Sequence, residues 1–431
     1  IMNEREEKWL QFEKSDRENN HGLIIDQYSE VQLLMKEPVK LHAFIESDLT
    51  NLLTYVSRHS EFYKQYENFQ KLEDFPIVNK EILKQNWDKV FVDEFRGRND
   101  NKEKHTSGST GTPFQVYWDH RKHCRMIADA KFWAKMGGCE SHERIVCLVV
   151  EKKKHFVPME SQERDNVYTI NCSYFDDDSI CALLEEVEKY RPRCIIGYSS
   201  MWDAIANYIC EGKAGECRME LYSIMAEAEG LKERTRKILS NYFNCAVYSR
   251  YGNEECGTMA QEDGSEYGHR VNTASYHIEI LKVASDEPAE NGEIGRVVIT
   301  DLFNYAFPII RYDNGDLAIK EELEDGRVYL KDIVGRKVDM LYTTDGKMVN
   351  WLRSLIFLKE YNDIRQFQII QETWNKYTWV LNTDNRSYEE AIVRESKEIF
   401  GSDSEYEFRY VDEIPKLESG KTQMTICKIK H

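Results

Sequence analysis

The sequence predicts an α/β protein of several domains: a large N-terminal unit of layered sheets and helices, followed by a small α+β unit. Three observations lead there. The 431 residues exceed the length at which one hydrophobic core usually stops growing. From about Lys104 strand-like and helix-like patterns alternate, the order of a sheet layered with helices. From about Asp339 the texture changes to short strands around a single helix.

Residues 1–70 read as helical, because Leu41, Phe44, Ile45, Leu49, Leu52, Leu53 and Val56 recur at helix spacing. Arg144–Val150 ("RIVCLVV") and Arg193–Tyr198 ("RCIIGY") are apolar runs expected as buried strands. Between them Ile180–Tyr190 has helix periodicity and stops ahead of Pro192. Ala246–Tyr251 is a further strand, preceded by a helix over Leu231–Phe243. His277–Val283, Gly295–Thr300 and Val328–Ile333 are β-rich and separated by turn residues, which predicts an antiparallel or barrel-like portion. In the tail, strands Arg365–Gln371 and Thr378–Asn382 flank a helix around Tyr388–Phe400, with a strand near Tyr406–Val411. The best boundary is Gly335-Arg336. It divides a large domain, residues 1–337 (helical segment 1–70, core 104–337), from a small one, residues 338–431, of ordinary domain size.

Composition narrows the function classes. A hydrophobic fraction of 41% with 31% charged residues is that of a soluble globular protein, and a net charge of −18 argues against nucleic acid as a partner. The eleven cysteines form no C-x-x-C pair, and no secretory signal is read, so they are expected as reduced thiols in a cytoplasmic protein. Ile145–Val150 is too short to span a bilayer, and no membrane insertion is expected. Ile1 precedes Met2 and is left out of the fold reasoning.

His105–Pro113 ("HTSGSTGTP") concentrates glycines and hydroxyl side chains in nine residues. In isolation this is a surface turn. Its chemistry also suits phosphate, since glycine lets backbone N–H groups approach an anion and the hydroxyls add donors. It is not a Walker loop: no Gly-Lys-Ser/Thr follows, and Pro113 stands where that helix would begin. Glu255, in "YGNEE" (251–255) just past a predicted strand, is placed to hold Mg²⁺ against a triphosphate. "FPIIRYDNGD" (307–316) ends in Asn-Gly-Asp, an ordinary hairpin turn in most proteins, although Asp316 could accept both ribose hydroxyls of a nucleotide. Gly335-Arg336 and Ser419-Gly420-Lys421 complete the series.

In this order the pieces resemble the adenylate-forming acyl-activating superfamily, in the branch of phenylacetate–CoA ligases and CapK-type capsular polysaccharide proteins. The resemblance runs over most of the chain. It includes "FPIVNKEILKQN" (75–86), "IIGYSSMWDAIA" (195–206), "AEAEGLKERTRKIL" (226–239), "VGR" and "SGK". "DGKMV" (345–349) and "QFQIIQ" (366–371) lean toward the CapK-type members. The resemblance implies an ATP- and Mg²⁺-dependent ligase that makes an acyl adenylate and pyrophosphate. It places ATP on Ser107, Gly108, Ser109, Thr110, Gly111 and Thr112, on Glu227, Ala228 and Glu229 (where relatives carry Gly-Ala-Glu), and on Tyr251, Gly252, Asp316 and Arg336. It makes Lys421, Glu255 and Thr110 the catalytic residues, with Glu255 on Mg²⁺, and the small domain a mobile lid. Glu254 replaces a frequent Thr, and Val338 stands where relatives carry a polar hinge residue. Cys256 and His269 recur from a zinc-like cluster of some relatives, but Asp263 replaces a cysteine and a closed zinc site is not expected.

For the acid, Phe156, Tyr198, Trp202 and Tyr251 are expected as pocket walls, which suit an aryl or apolar acid, although core packing explains such residues equally well. The substrate is a carboxylic or amino acid. The acceptor is CoA as first choice, or an amine, a sugar or a carrier-protein thiol, with homodimerisation open. A nucleotide-binding protein without turnover is the rival from another class.

Overall fold

The computed structural model describes residues 3–105, 114–149, 157–172, 176–228, 230–336, 341–346, 348–349, 361, 363–415 and 425–429. For 38–41, 334–336 and 348–349 it describes the backbone. The chain opens with three helices, α1 (Glu4–Asn20), α2 (Leu23–Lys36) and α3 (Pro38–His59), as the periodicity of residues 1–70 predicts. At the start of α1 the Glu6 N–H donates to the Asn3 side chain and the Asn3 N–H to Glu6, a capping box that satisfies two otherwise orphaned donors.

Next come β1 (Val78–Asn79), α4 (Lys80–Gln85), α5 (Trp87–Val90), the hairpin β2 (Lys102–His105) with β3 (Gln115–Trp118), and α6 (His120–Met136). Val31, Leu34 and Met35 of α2 form a core with Phe132 and Trp133 of α6, which fastens the helical segment to the sheet layer. The layered part follows. It consists of β4 (Ile145–Val149), α7 (Met159–Asp165), β5 (Val167–Asn171), α8 (Asp177–Tyr190), β6 (Cys194–Tyr198), α9 (Ser199–Cys210), β7 (Ser223–Glu227), α10 (Glu233–Phe243) and β8 (Ala246–Asn253). These strands pair in parallel in the order β5-β4-β6-β7-β8. One face is buried under the helices: Leu148, Ile195, Ile224 and Val247 of the strands meet Leu183, Trp202 and Leu239.

The sheet changes character at β8. Its first half pairs in parallel with β7, and its second half pairs antiparallel with β9 (Gly257–Glu262). From there the sheet continues through β10 (His269–Val271) to β14 (Val328–Arg336), β13 (Tyr312–Glu322), β12 (Ile294–Asp301) and β11 (Tyr276–Lys282), twelve strands with β1 beside β13. The expected antiparallel portion is therefore the same sheet as the parallel one, not a separate barrel. A second core fills its inner side, with Val78, Phe114, Met259, Ile299, Phe307 and Tyr312 among its members.

The Asn-Gly-Asp segment differs from an ordinary hairpin turn. Asn314, Gly315 and Asp316 lie inside β13, and Asp316 is in register with Arg336 of β14. Gly315 adopts φ +85°, a left-handed value that glycine accepts at no steric cost and that breaks the pleat without ending the strand. The last part carries the hairpin β15 (Leu341–Tyr342) with β16 (Met348–Val349), and a four-stranded sheet in the order β19-β18-β17-β20. That sheet comprises β17 (Gln366–Gln371), β18 (Lys376–Asn382), β19 (Glu405–Tyr410) and β20 (Thr425–Cys427), with α11 (Glu389–Phe400) between β18 and β19. Ile369, Trp379, Ile392 and Phe400 make its core. Among the described residues no helix is long and apolar enough to cross a membrane.

Candidate active site at the carboxyl end of the parallel strands

In open α/β sheets ligands bind beyond the carboxyl ends of the strands, where the topology switches. Here that place is the end of β8. Tyr251 and the residues after it project from β8 toward β13. The Tyr251 hydroxyl donates to Asp316 Oδ2 at 2.7 Å. Asn314 Nδ2 donates to the same oxygen at 2.8 Å and to the Tyr251 oxygen at 2.7 Å. Burial, followed by the Asp316 charge, raises the Tyr251 phenol well above its ordinary range, so it stays a donor at neutral pH. This triangle fixes the Asp316 carboxylate from one side. Asp316 and Tyr251, read from separate motifs, are thus in direct contact.

Glu255 lies beside them. It is 7% exposed, and its Oε1 accepts from the Tyr312 hydroxyl at 3.1 Å. Burial raises its carboxyl above the usual range; hydrogen bonds from its own backbone and from Tyr312, and the charge of Lys80, work against that. The backbone of this turn is held from behind. Trp118 Nε1 donates to the Glu255 carbonyl at 2.8 Å, and Tyr276 Oη donates to the Cys256 carbonyl at 2.7 Å. Lys122, fully buried, donates to Tyr276 Oη at 3.0 Å and pairs with Asp301 at 2.6 Å. Gly252 admits no side chain, because a Cβ there would lie 2.5 Å from the Gly257 carbonyl.

On the parallel side, Tyr198 of β6 is in register with Glu227 of β7. Ala228, directly after, has φ +69°, a left-handed conformation that costs a non-glycine residue about 1–2 kcal/mol. Such stored strain is characteristic of binding turns. Trp202 is 1% exposed, and its indole N–H donates to the Gly197 carbonyl at 3.1 Å. It belongs to the helix-covered core, not to a pocket wall, because its ring is spent on packing β6 against α9. Tyr198 is partly exposed and remains at the strand end.

The backbone of Arg336 lies across from Asp316. Ser107, Gly108, Ser109, Thr110, Gly111, Thr112, Phe156, Glu229 and Lys421 lie outside the described residues. Among the described residues no group of three or more His, Cys, Asp or Glu side chains converges as a metal site. A divalent ion fits Glu255 in another way. A buried carboxylate gains most from a counter-ion, and Mg²⁺ is ordinarily held by one or two carboxylates together with substrate phosphates.

Three contributors lack a role in the sequence reading: Lys80, Tyr312 and Asn314. Tyr312 and Asn314 carry a signal in hindsight, since both lie within "RYDNGD". The charge of Lys80 acts on Glu255 because β1, directly before it, pairs with Tyr312-Asp313 of β13, a pairing no local pattern announces. Arg311 of the same motif is structural: its guanidinium pairs with Glu279 at 2.9 and 3.0 Å.

Residues 341–428 match the CapK C-terminal domain family. Over 403 residues the chain is 23% identical to the protein CapK of Staphylococcus aureus, covering 87% of each chain. Among solved structures, 2-hydroxyisobutyryl-CoA ligase in the postadenylation state matches with a TM-score of 0.70 and 16% identity over 89% of each chain. The benzoate CoA ligase of Burkholderia xenovorans LB400 matches with a TM-score of 0.56 and 16% identity over 76% of this chain and 69% of that one. ATP-bound MatB of Rhodopseudomonas palustris gives 0.55 at 16% identity, over 74% and 66%. The expected resemblance is borne out: the chain has the fold of the adenylate-forming ligases, and its sequence is similar to a CapK protein over most of its length.

Proposed function

We propose that this protein activates a carboxylic acid with ATP as an acyl adenylate, releasing pyrophosphate, and passes the acyl group to an acceptor. The observation that carries the reading is the convergence of Asp316, Tyr251 and Glu255 at the switch point of a sheet shared with acyl-CoA ligases. In the reaction a carboxylate oxygen attacks the α-phosphorus, the bridging oxygen to the β-phosphate leaves, and pyrophosphate departs. Such displacement needs positioning and neutralisation of charge more than covalent chemistry.

The residue roles follow. Asp316, held by Tyr251 and Asn314, accepts from the ribose hydroxyls. Glu255 takes Mg²⁺, which neutralises phosphate charge when bound. Glu227, Ala228 and Glu229 with Gly252 border the nucleotide, and Ser107–Thr112 donate to its phosphates, with Thr110 at the reacting one. Tyr198 and Tyr251 border the acid. Residues 338–431 act as a lid beyond Arg336, bringing Lys421 to the oxygens where charge builds up.

CoA is the first choice of acceptor, since the hydroxyisobutyryl and benzoate neighbours are CoA ligases by name. The resemblance to CapK-type capsular polysaccharide proteins supports a second reading, transfer to an amine, a sugar or a carrier protein. The test is pyrophosphate exchange over a panel of carboxylic and amino acids without CoA, then with CoA added. Exchange with at least one acid is expected; ATP binding without exchange for any acid would instead mean a nucleotide-binding protein without turnover.

A further inference from the structure

Arg250 precedes Tyr251 on β8, and successive strand residues point to opposite faces. Its side chain therefore leaves the Tyr251–Asp316 side and enters the face that β7 and β8 share with α6. Arg250 is 9% exposed. Its Nε donates to Gln261 Oε1 at 2.6 Å, and Gln261 is itself fixed by donating to the Trp133 carbonyl at 3.1 Å. Its Nη2 is buried with no hydrogen-bond partner among the described residues. A buried guanidinium held at one nitrogen by a neutral amide, with another nitrogen orphaned, is costly unless something completes it.

Glu227 stands beside it. The last registered pair of β7 and β8 is Ala226 with Ser249, so Glu227 and Arg250 are the next cross-strand neighbours, with Tyr198 on the far side of Glu227. Among the described residues the Glu227 carboxylate accepts no hydrogen bond and forms no ion pair with Arg250. The two charges still feel each other: burial raises the Glu227 carboxyl, Arg250 opposes that, and Glu254 adds to it. Cys147 of β4 reports the same neighbourhood. Burial pushes its thiol up to about 12, with Glu227 adding and Arg250 opposing. An oriented donor and an unpaired acceptor thus stand side by side at the carboxyl end of the parallel strands, on the face away from the ribose-binding Asp316.

We infer that this pair selects the acid: the substrate bears a hydroxyl group that donates to Glu227 and accepts from Arg250. The inference rests on the adenylation reading above and narrows its substrate class. A hydroxyl satisfies both partners with one neutral group. An ammonium would suit Glu227 but face the Arg250 charge and leave Nη2 orphaned. A second carboxylate would suit Arg250 but face Glu227. An aryl or alkyl acid, the class that aromatic walls suggested, would leave both groups unpaired in a dry site, and such sites reject analogues lacking the hydroxyl strongly.

The test is a matched series: butyrate with 2-hydroxy-, 3-hydroxy-, 4-hydroxy- and 2-aminobutyrate and succinate, and benzoate with its hydroxybenzoates. Binding is measured by calorimetry in the presence of a non-hydrolysable ATP analogue, and pyrophosphate exchange is followed in parallel. At least one hydroxy acid is expected to bind tenfold or more tightly than its unsubstituted parent. Glu227→Gln and Arg250→Met should each erase most of that ratio, and Arg250→Met, at a residue with no part in the nucleotide site, should leave affinity for the ATP analogue unchanged. Arg250→Lys, which keeps a charge in the core, covers failure of the Met variant to fold. Parent acids, aminobutyrate or succinate binding as well as every hydroxy acid overturns the inference, as does a ratio untouched by both substitutions. Hydroxy-acid binding that depends on Glu227, with no exchange for any acid, would leave the inference standing and overturn adenylation.

Discussion

Asp316 offers the sharpest test of the nucleotide site, because its surroundings separate stability from binding. Its Oδ2 accepts from Tyr251 at 2.7 Å and from Asn314 at 2.8 Å. Asp316→Ala deprives both donors of that acceptor, and an orphaned buried donor costs about 1–3 kcal/mol, so this variant should melt at lower temperature. Asp316→Asn keeps a carbonyl oxygen for the two donors while removing the charge and turning the other oxygen into an NH2 group. Its fold should stay close to wild type. Replacing a charged acceptor by a neutral one at the ribose should still forfeit part of a charge-assisted interaction worth about 1.5–3 kcal/mol, which bounds the loss of ATP affinity at roughly 10- to 150-fold. Calorimetric titration with ATP, paired with thermal melting of each variant, reads both quantities. Asp316→Asn binding ATP with wild-type affinity would refute the ribose assignment and leave the triangle as a packing device of β13.

The remaining predictions concern the metal, the lid and a buried histidine. Glu255→Gln should cut adenylation at least tenfold at saturating ATP, while Glu254→Gln, on an exposed side chain, should matter much less; equal activity of Glu255→Gln and wild type across a Mg²⁺ titration would contradict the metal role. Lys421→Ala should lose most adenylate formation yet convert a supplied acyl adenylate at near wild-type rate, and equal loss of both half-reactions would contradict a lid that moves between them. His142 is 2% exposed, and burial, followed by nearby cationic charges, pushes its pKa down to about 3. As pH falls from about 6.5 toward 3, the unfolded chain binds a proton the folded one refuses, so stability present above that window is lost at up to about 1.4 kcal/mol per pH unit. His142→Asn tolerates the φ of +66° and should remove one proton from that slope in urea unfolding between pH 6.5 and 4; an unchanged slope contradicts the assignment.

The order of elements was legible because apolar periodicity is local. The strands over 145–149 and 194–198, the helix over 177–190 and the tail sheet with its helix all follow from runs that bury one face wherever they go. The family resemblance was legible for a related reason: glycines, prolines and charged groups at fixed spacing survive in the linear text. The site was legible in part. Tyr251, Glu255 and Asp316 stood out as motif residues, and the structure brings them together. Trp202 stayed open between pocket wall and core packing, since an aromatic beside a strand end looks the same whether its indole lines a pocket or donates to Gly197.

Partnership was left to the tertiary structure. Periodicity says which face of a strand is apolar, not which strand lies beside it. β8 turns from parallel to antiparallel pairing along its length, and only that switch sets Tyr251 against β13 while Arg250 turns toward Glu227. Asn-Gly-Asp favours a turn through local chemistry, yet pairing with β12 and β14 on both sides holds it in a strand and places Asp316 across from Arg336. By itself, then, the sequence determined the elements, their order and the kind of chemistry its motifs can support. Which side chains share a site, and which buried charges stand without partners, was decided by long-range strand order, because those contacts join residues that no local spacing relates.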